Sequence, residues 1–284
     1  MLTETQLKEK LQVYAENEFR PPAQEELSEL VPAMLYHIGS TDSVLRDDLI
    51  YSAFATWITD HDAIEHEQLR NMLPIVLDEV HLLYKVGEQD TDSVFTRAFS
   101  VLLLPLLLIT QRAHPFLSPS EIYQVKEKLL YYLRNEKDRR GFVDGKGWAH
   151  ATAHGADALD DLAQCPEMNK ADLADMLDVV YDMVCEKDMG YVCLEDERIV
   201  TAVLAILKRQ LLSDAEVTQW IQGFADRVLP VKSPPQRHII RGNVKSFLQS
   251  LYFRLQWEQA SNKFEAEIDQ TLQRINPFRP RKSN

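Results

Sequence analysis

The chain has 284 residues, with 31 Lys and Arg against 44 Asp and Glu, a formal net charge of −13. That balance repels phosphate backbones and anionic bilayers, so nucleic-acid and anionic-membrane binding are disfavoured as main roles. Only 9 Gly and 13 Pro occur, and Leu, Ala, Glu, Asp and Gln dominate, which favours a folded helical protein over a disordered chain.

Met1-Leu2-Thr3-Glu4 leads into charged helix, so no secretory leader is expected. From there the chain reads as helix after helix, with no convincing strand. The expected pairs are 4–18 with 24–38, 43–59 with 66–84, 93–111 with 119–136, 148–164 with 170–186, 195–210 with 214–228, and 239–257 with 261–275. Arg20-Pro21-Pro22, Ser233-Pro234-Pro235 and Asn276-Pro277 punctuate the joins. Three starts are marked by capping residues followed by an acid at N3: Ser118-Pro119-Ser120-Glu121, Asn169-Lys170-Ala171-Asp172 and Ser213-Asp214-Ala215-Glu216. Each precedes an apolar stripe at helical spacing. The stripes are Ile122, Val125, Leu129, Leu133; Leu173, Met176, Leu177, Val180, Val184; and Val217, Trp220, Ile221, Phe224, Val228.

These caps lie 51 and 44 residues apart, and Ser261 is placed to start one more. Thr41-Asp42-Ser43-Val44 also recurs as Thr91-Asp92-Ser93-Val94, with Gly39 and Gly87 ahead of the two copies. A period in this range signals stacked helical hairpins. The expected fold is therefore all-α, about six stacked hairpins in a HEAT-like α-solenoid, with a closed α/α toroid as the alternative. Short repeats and few Gly-rich loops favour the solenoid. Residues 1–276 read as a single helical-repeat domain and 277–284 as a basic flexible tail holding Arg279-Pro280-Arg281-Lys282.

The most apolar run, Val101–Ile109, is too short to span a bilayer, carries Pro105 and reads as a buried core helix. Cys165, Cys185 and Cys193 are odd in number and lack CxxC spacing, which points to a reducing, cytoplasmic setting. Cys193 lies beside Glu195 and Glu197, whose charge opposes a thiolate. No Walker A loop, GxGxxG or catalytic serine or cysteine motif is present.

Aligning the first helix of each pair brings polar residues to equivalent positions: Asp48, Arg97, His154, Arg198 and Asn243, with Asp157 and Glu197 nearby. If stacked repeats place them side by side, they line one groove at helix N-termini, where anions are favoured. The same residues also suit structural roles, pairing with neighbouring repeats. The densest cluster is Gly147-Trp148-Ala149-His150-Ala151-Thr152-Ala153-His154-Gly155-Ala156-Asp157. His150, His154 and Asp157 at i, i+4 and i+7 stack on one helix face. They suit a divalent transition metal such as zinc, a metal-free acid–base site, or a structural polar cluster. No Glu follows His150, so the run is not a zincin motif, and Trp148 is placed to wall a pocket. His238 is within reach of the groove, whereas His37, His61, His66, His81 and His114 read as surface or loop residues.

The run Asp144-Gly145-Lys146-Gly147-Trp148-Ala149-His150 through Asp157 resembles the signature of an uncharacterised bacterial family, domain of unknown function 2785. Phe95-Thr96-Arg97-Ala98-Phe99-Ser100, Glu197-Arg198 and Arg241-Gly242-Asn243 leading to Phe247-Leu248 add weaker pieces, so the resemblance spans about residues 40–260. It implies a bacterial cytosolic all-helical protein and supplies no activity. The expected function is a concave polar groove that binds a protein partner or a small anionic ligand. The alternative is a metal-dependent hydrolase using His150, His154 and Asp157, with arginines holding an anionic substrate.

Overall fold

A computed structural model describes residues 1–258 and 263–279 of the chain. Helix dominates, and the chain divides into two compact units, Met1–Glu167 and Met168–Asn284. The first unit holds α1 (Glu4–Ala15), α2 (Gln24–Tyr36) and α3, whose π-wound segments Val44–Tyr51 and Thr56–Asp60 flank an α-helical turn, Ser52–Ala55. It continues with α4 (His66–Val76), α5 (Ser93–Val101), α6 (Leu103–Ala113), α7 (Pro119–Asn135), the strands β1 (Phe142–Val143) and β2 (Gly147–Trp148), and α8 (Ala151–Ala163). The second unit holds α9 (Lys170–Val184), α10 (Glu195–Lys208), α11 (Asp214–Val228), α12 (Gln236–Trp257) and α13 (Glu265–Ile275).

The caps at Ser118, Asn169 and Ser213 form as expected, each closing a reciprocal capping box with its N3 acid. Thr3 closes a fourth with Gln6 at the start of α1. These boxes satisfy backbone donors that the first turn leaves without partners. Every residue of the three apolar stripes is buried. Both Thr-Asp-Ser-Val copies open helices, α3 and α5.

Three expectations differ. The helix expected over 66–84 stops at Val76, where turns take over to Gly87. The helix expected over 93–111 is broken at Leu102, because Pro105 has no N–H to donate to the Val101 carbonyl. The whole stretch Ser93–Ala113 has 21 residues and is long and apolar enough to cross a membrane, longer than the apolar run suggests, yet it is mostly buried, the place of a core helix. Third, residues 142–148, expected to be loop leading into helix, form a short antiparallel hairpin. Trp148 is therefore a strand residue, and His150 caps α8 rather than lying within it. The start expected at Ser261 and the tail residues 280–282 lie outside the described residues.

In the first unit α1 packs on α3, α3 on α6, and both α5 and α6 on α8. In the second, α10 packs on α12 and α11 on α13.

Candidate functional site

The β1–β2 hairpin is built around Asp144-Gly145. Lys146 N–H donates to the Val143 carbonyl at 3.0 Å, and Gly145 takes φ +73°, the third position of a turn that favours glycine. Phe142 pairs with Trp148 across the hairpin, their rings edge to face at 5.2 Å. Lys146 clasps both Asp92 carboxylate oxygens at 2.7 Å.

Arg46 of α3 holds the hairpin from beneath. It is fully buried and donates to the carbonyls of Ser40, Lys146 (2.6 Å) and Trp148 (3.0 Å). Its guanidinium lies over the rings of Phe95 and Phe99, 4.2 and 4.8 Å from their centroids. Burial without a carboxylate bond lowers its pKa to about 10. Gly147 permits this contact: its φ is +76°, and a Cβ there would sit 2.6 Å from Ser43 Cβ.

Between α3 and the hairpin lies a cavity of about 320 Å³, lined by Ser43, Asp47, Asp48, Phe142, Gly145, Gly147 and Trp148. Asp47 is half-buried and Asp48 exposed. Neither carboxylate forms a hydrogen bond or ion pair among the described residues. Burial pushes the Asp47 carboxyl above its usual range; Asp48 adds to the rise, while Arg46 and His150 pull against it. His150 extends the aromatic wall, stacked on Trp148 at 4.6 Å between ring centroids. Its backbone is left-handed, φ 54°, which is uncommon for a residue with a Cβ.

His154 lies one turn into α8, buried, with its ring 5.7 Å from His150 and edge-on to Phe99 at 5.2 Å. Its Nδ1 is 3.0 Å from the Ala98 carbonyl, so that nitrogen carries the proton. Asp157 is half-buried one turn further on, and its charge helps to raise the Asp160 carboxyl, although burial and Asp161 contribute more. The three-ligand set expected for zinc is not assembled: among the described residues, no group of three or more His, Cys, Asp and Glu is placed to hold a metal ion. His150 occupies the left-handed N-cap position of α8, with its ring stacked on Trp148.

The rest of the expected polar row is divided between the units. In the first, Arg97 is fully buried and spent internally. It pairs with Glu136 through Nε (2.5 Å) and a terminal nitrogen (3.0 Å), and it donates to Ser93 Oγ and to the carbonyls of Tyr84, Lys85 and Glu88. No donor remains for a substrate. In the second, buried Asn243 donates to the Glu186 and Met189 carbonyls and accepts from Tyr191 N–H, pinning the loop before α10. Glu197 accepts from Arg254 at 3.3 Å, and Arg198 is exposed. The structure thus brings Asp48, Trp148, His150 and His154 into one neighbourhood and gives Arg97 and Asn243 architectural work. Arg46, Asp47 and Phe142 were not expected from the sequence; Asp144-Gly145 between apolar flanks was the available signal for the hairpin.

A family model described as a protein of unknown function, DUF2785, matches residues 82–253. The chain belongs to this family. No curated protein and no solved structure matches it. The DUF2785 match contains Arg97, Glu136, the hairpin and α8, but begins after Asp47 and Asp48, so the acidic wall of the cavity lies outside it.

Proposed function

We propose that this DUF2785 protein is a helical-repeat binding protein whose cavity between α3 and the hairpin receives a cationic group, an amine or guanidinium. Asp47 carries the reading. It is a half-buried carboxylate lining the cavity that forms no hydrogen bond or salt bridge among the described residues, and burial outweighs the nearby charges of Arg46 and His150, so its pKa is pushed up. A half-buried carboxylate without a hydrogen bond is costly in that position, and a bound cation offsets the cost. Asp48 supplies a second negative charge at the mouth. Trp148 and Phe142 line the same space and supply aromatic surface to the cation or to an apolar body beside it. A small anionic ligand, the sequence-based expectation, finds two carboxylates here and no available arginine.

The HEAT-like solenoid belongs to the same proposal. Its support is the pairing inside each unit, where first helices pack on first helices and α11, a second helix, packs on α13. The three free cysteines fit a reducing cytoplasm.

Calorimetric titration with agmatine and spermidine tests the reading. Binding is expected for the unaltered protein and is lost in the double variant Asp47→Asn/Asp48→Asn. Absence of binding by both amines, or equal binding by the variant, overturns it. Elemental analysis of untagged protein should find zinc far below one ion per chain. Stoichiometric zinc that disappears in His150→Ala/His154→Ala would favour the metal-dependent hydrolase instead.

A further inference from the structure

The second unit holds a cavity of opposite character. It measures about 360 Å³ and lies between the first half of α12 and the end of α13. Its α12 wall presents His238, Arg241 and Lys245, at i, i+3 and i+7, the spacing that puts side chains on one helix face. Next to His238 in the chain, Arg237 brings a guanidinium nitrogen to 3.2 Å from His238 Nε2. Among the described residues, neither Arg241 nor Lys245 forms an ion pair. Arg241 Nε is moreover buried without a hydrogen-bond partner. In a chain of net charge −13, two cations left without carboxylates beside one cavity are unexpected. The single acid in the lining, Asp269, already accepts from Gln273 at 2.7 Å.

The opposite wall is apolar. Leu272, Ile275 and the exposed ring of Phe278 face the same space. Gly242 leaves the α12 floor open, since a Cβ there would meet nothing within 4 Å. The volume falls in the range of small-molecule sites, where a few polar groups fix orientation against apolar walls. A guanidinium with an unpartnered Nε is shaped for two parallel bonds to an oxyanion, and an ammonium one turn further on adds a point charge.

We infer that this cavity is a binding site for an organic oxyanion, a phosphate or carboxylate head joined to an apolar body, with Arg241 and Lys245 holding the head and Leu272, Ile275 and Phe278 covering the body. It is independent of the cation cavity of the first unit and stands whether or not that reading survives.

Titration of the full chain with phenyl phosphate, benzoate and inorganic phosphate, followed by ligand-observed NMR and calorimetry, tests it. Phenyl phosphate or benzoate is expected to bind at least tenfold more tightly than inorganic phosphate. Arg241→Gln and, separately, Lys245→Gln should each weaken that binding about tenfold, whereas Asp47→Asn/Asp48→Asn leaves it unchanged. Lys245 is exposed, so its variant keeps the test valid if Arg241→Gln misfolds. Inorganic phosphate binding as tightly as phenyl phosphate removes the apolar body and overturns the proposal. So does an absence of binding by both organic anions, or affinity untouched by both α12 variants.

Discussion

Arg97 reads in the sequence as an anion-binding arginine, and in the fold it is a keystone. Its partner Glu136 lies 39 residues away, and both side chains are essentially inaccessible to solvent. Burial alone pulls the Arg97 pKa down, but the Glu136 hydrogen bond and charge outweigh it, and the net shift is upward. Breaking such a pair leaves a buried charge without compensation, at a cost of about 3–5 kcal/mol. Arg97→Ala should therefore lower stability by about that amount in urea titration of the unaltered and variant proteins. A loss below about 1 kcal/mol would remove the keystone role. A second residue-scale effect concerns Asp160, whose carboxyl is raised to about 6, first by burial and then by Asp161. Between the ordinary value of 3.8 and about 6, the folded state holds this proton more tightly than the unfolded state. Stability from this group is thus present at low pH and is lost as pH rises through about 6. Asp160→Asn should be more stable than the unaltered protein at pH 7, by on the order of 1 kcal/mol after solvent screening, and the gap should close toward pH 4. A gap that widens toward pH 4 would contradict the shift.

At the scale of elements, the helices were legible and the hairpin was not. A helix announces itself locally, through a cap such as Ser118 with Glu121 and a stripe such as Ile122, Val125, Leu129, Leu133. Those signals lie within a few residues of one another and survive without tertiary context. The strands Phe142–Val143 and Gly147–Trp148 are too short for alternation to show. Their support is tertiary, from Arg46, which sits in Leu45-Arg46-Asp47-Asp48, where an arginine reads as a solvated face. The polar row failed for a related reason. Aligning helix starts cannot reveal that Glu136 or the loop at 186–191 consumes the donors of Arg97 and Asn243. The hairpin glycines separate two costs that sequence alone merges. Gly145 and Gly147 both have positive φ, so alanine at either is strained by about 1–2 kcal/mol. Only at Gly147 does the new Cβ also meet Ser43 and the Arg46 guanidinium. Gly147→Ala should therefore destabilise the protein more than Gly145→Ala and abolish cation binding at Asp47, measured by thermal unfolding and calorimetry. Equal costs would mean that the hairpin does not rest on α3.

At the scale of the whole molecule, charge is the governing quantity. The excess of 13 negative charges has to be carried on the surface, since most buried acids among the described residues are bonded in place, Glu136 to Arg97 and Asp161 to Arg112. Exposed ion pairs such as Lys10–Glu29, Arg70–Glu121 and Lys170–Glu216 are numerous, but each contributes only about 0–1 kcal/mol. Added salt acts on both sides of this balance: it weakens those pairs and it screens the mutual repulsion of the unpaired carboxylates. The repulsion sums over many more distances than the pairs do, and the screening length falls from about 30 Å at 0.01 M to about 8 Å at 0.15 M. Screening of repulsion should therefore win, and the thermal midpoint should rise between those two sodium chloride concentrations. The buried Arg97–Glu136 pair is shielded from that screening, so Arg97→Ala should show the same upward slope from a lower start. A midpoint that falls with salt would mean that the surface pairs, weak one by one, act as a network strong enough to outweigh the net charge.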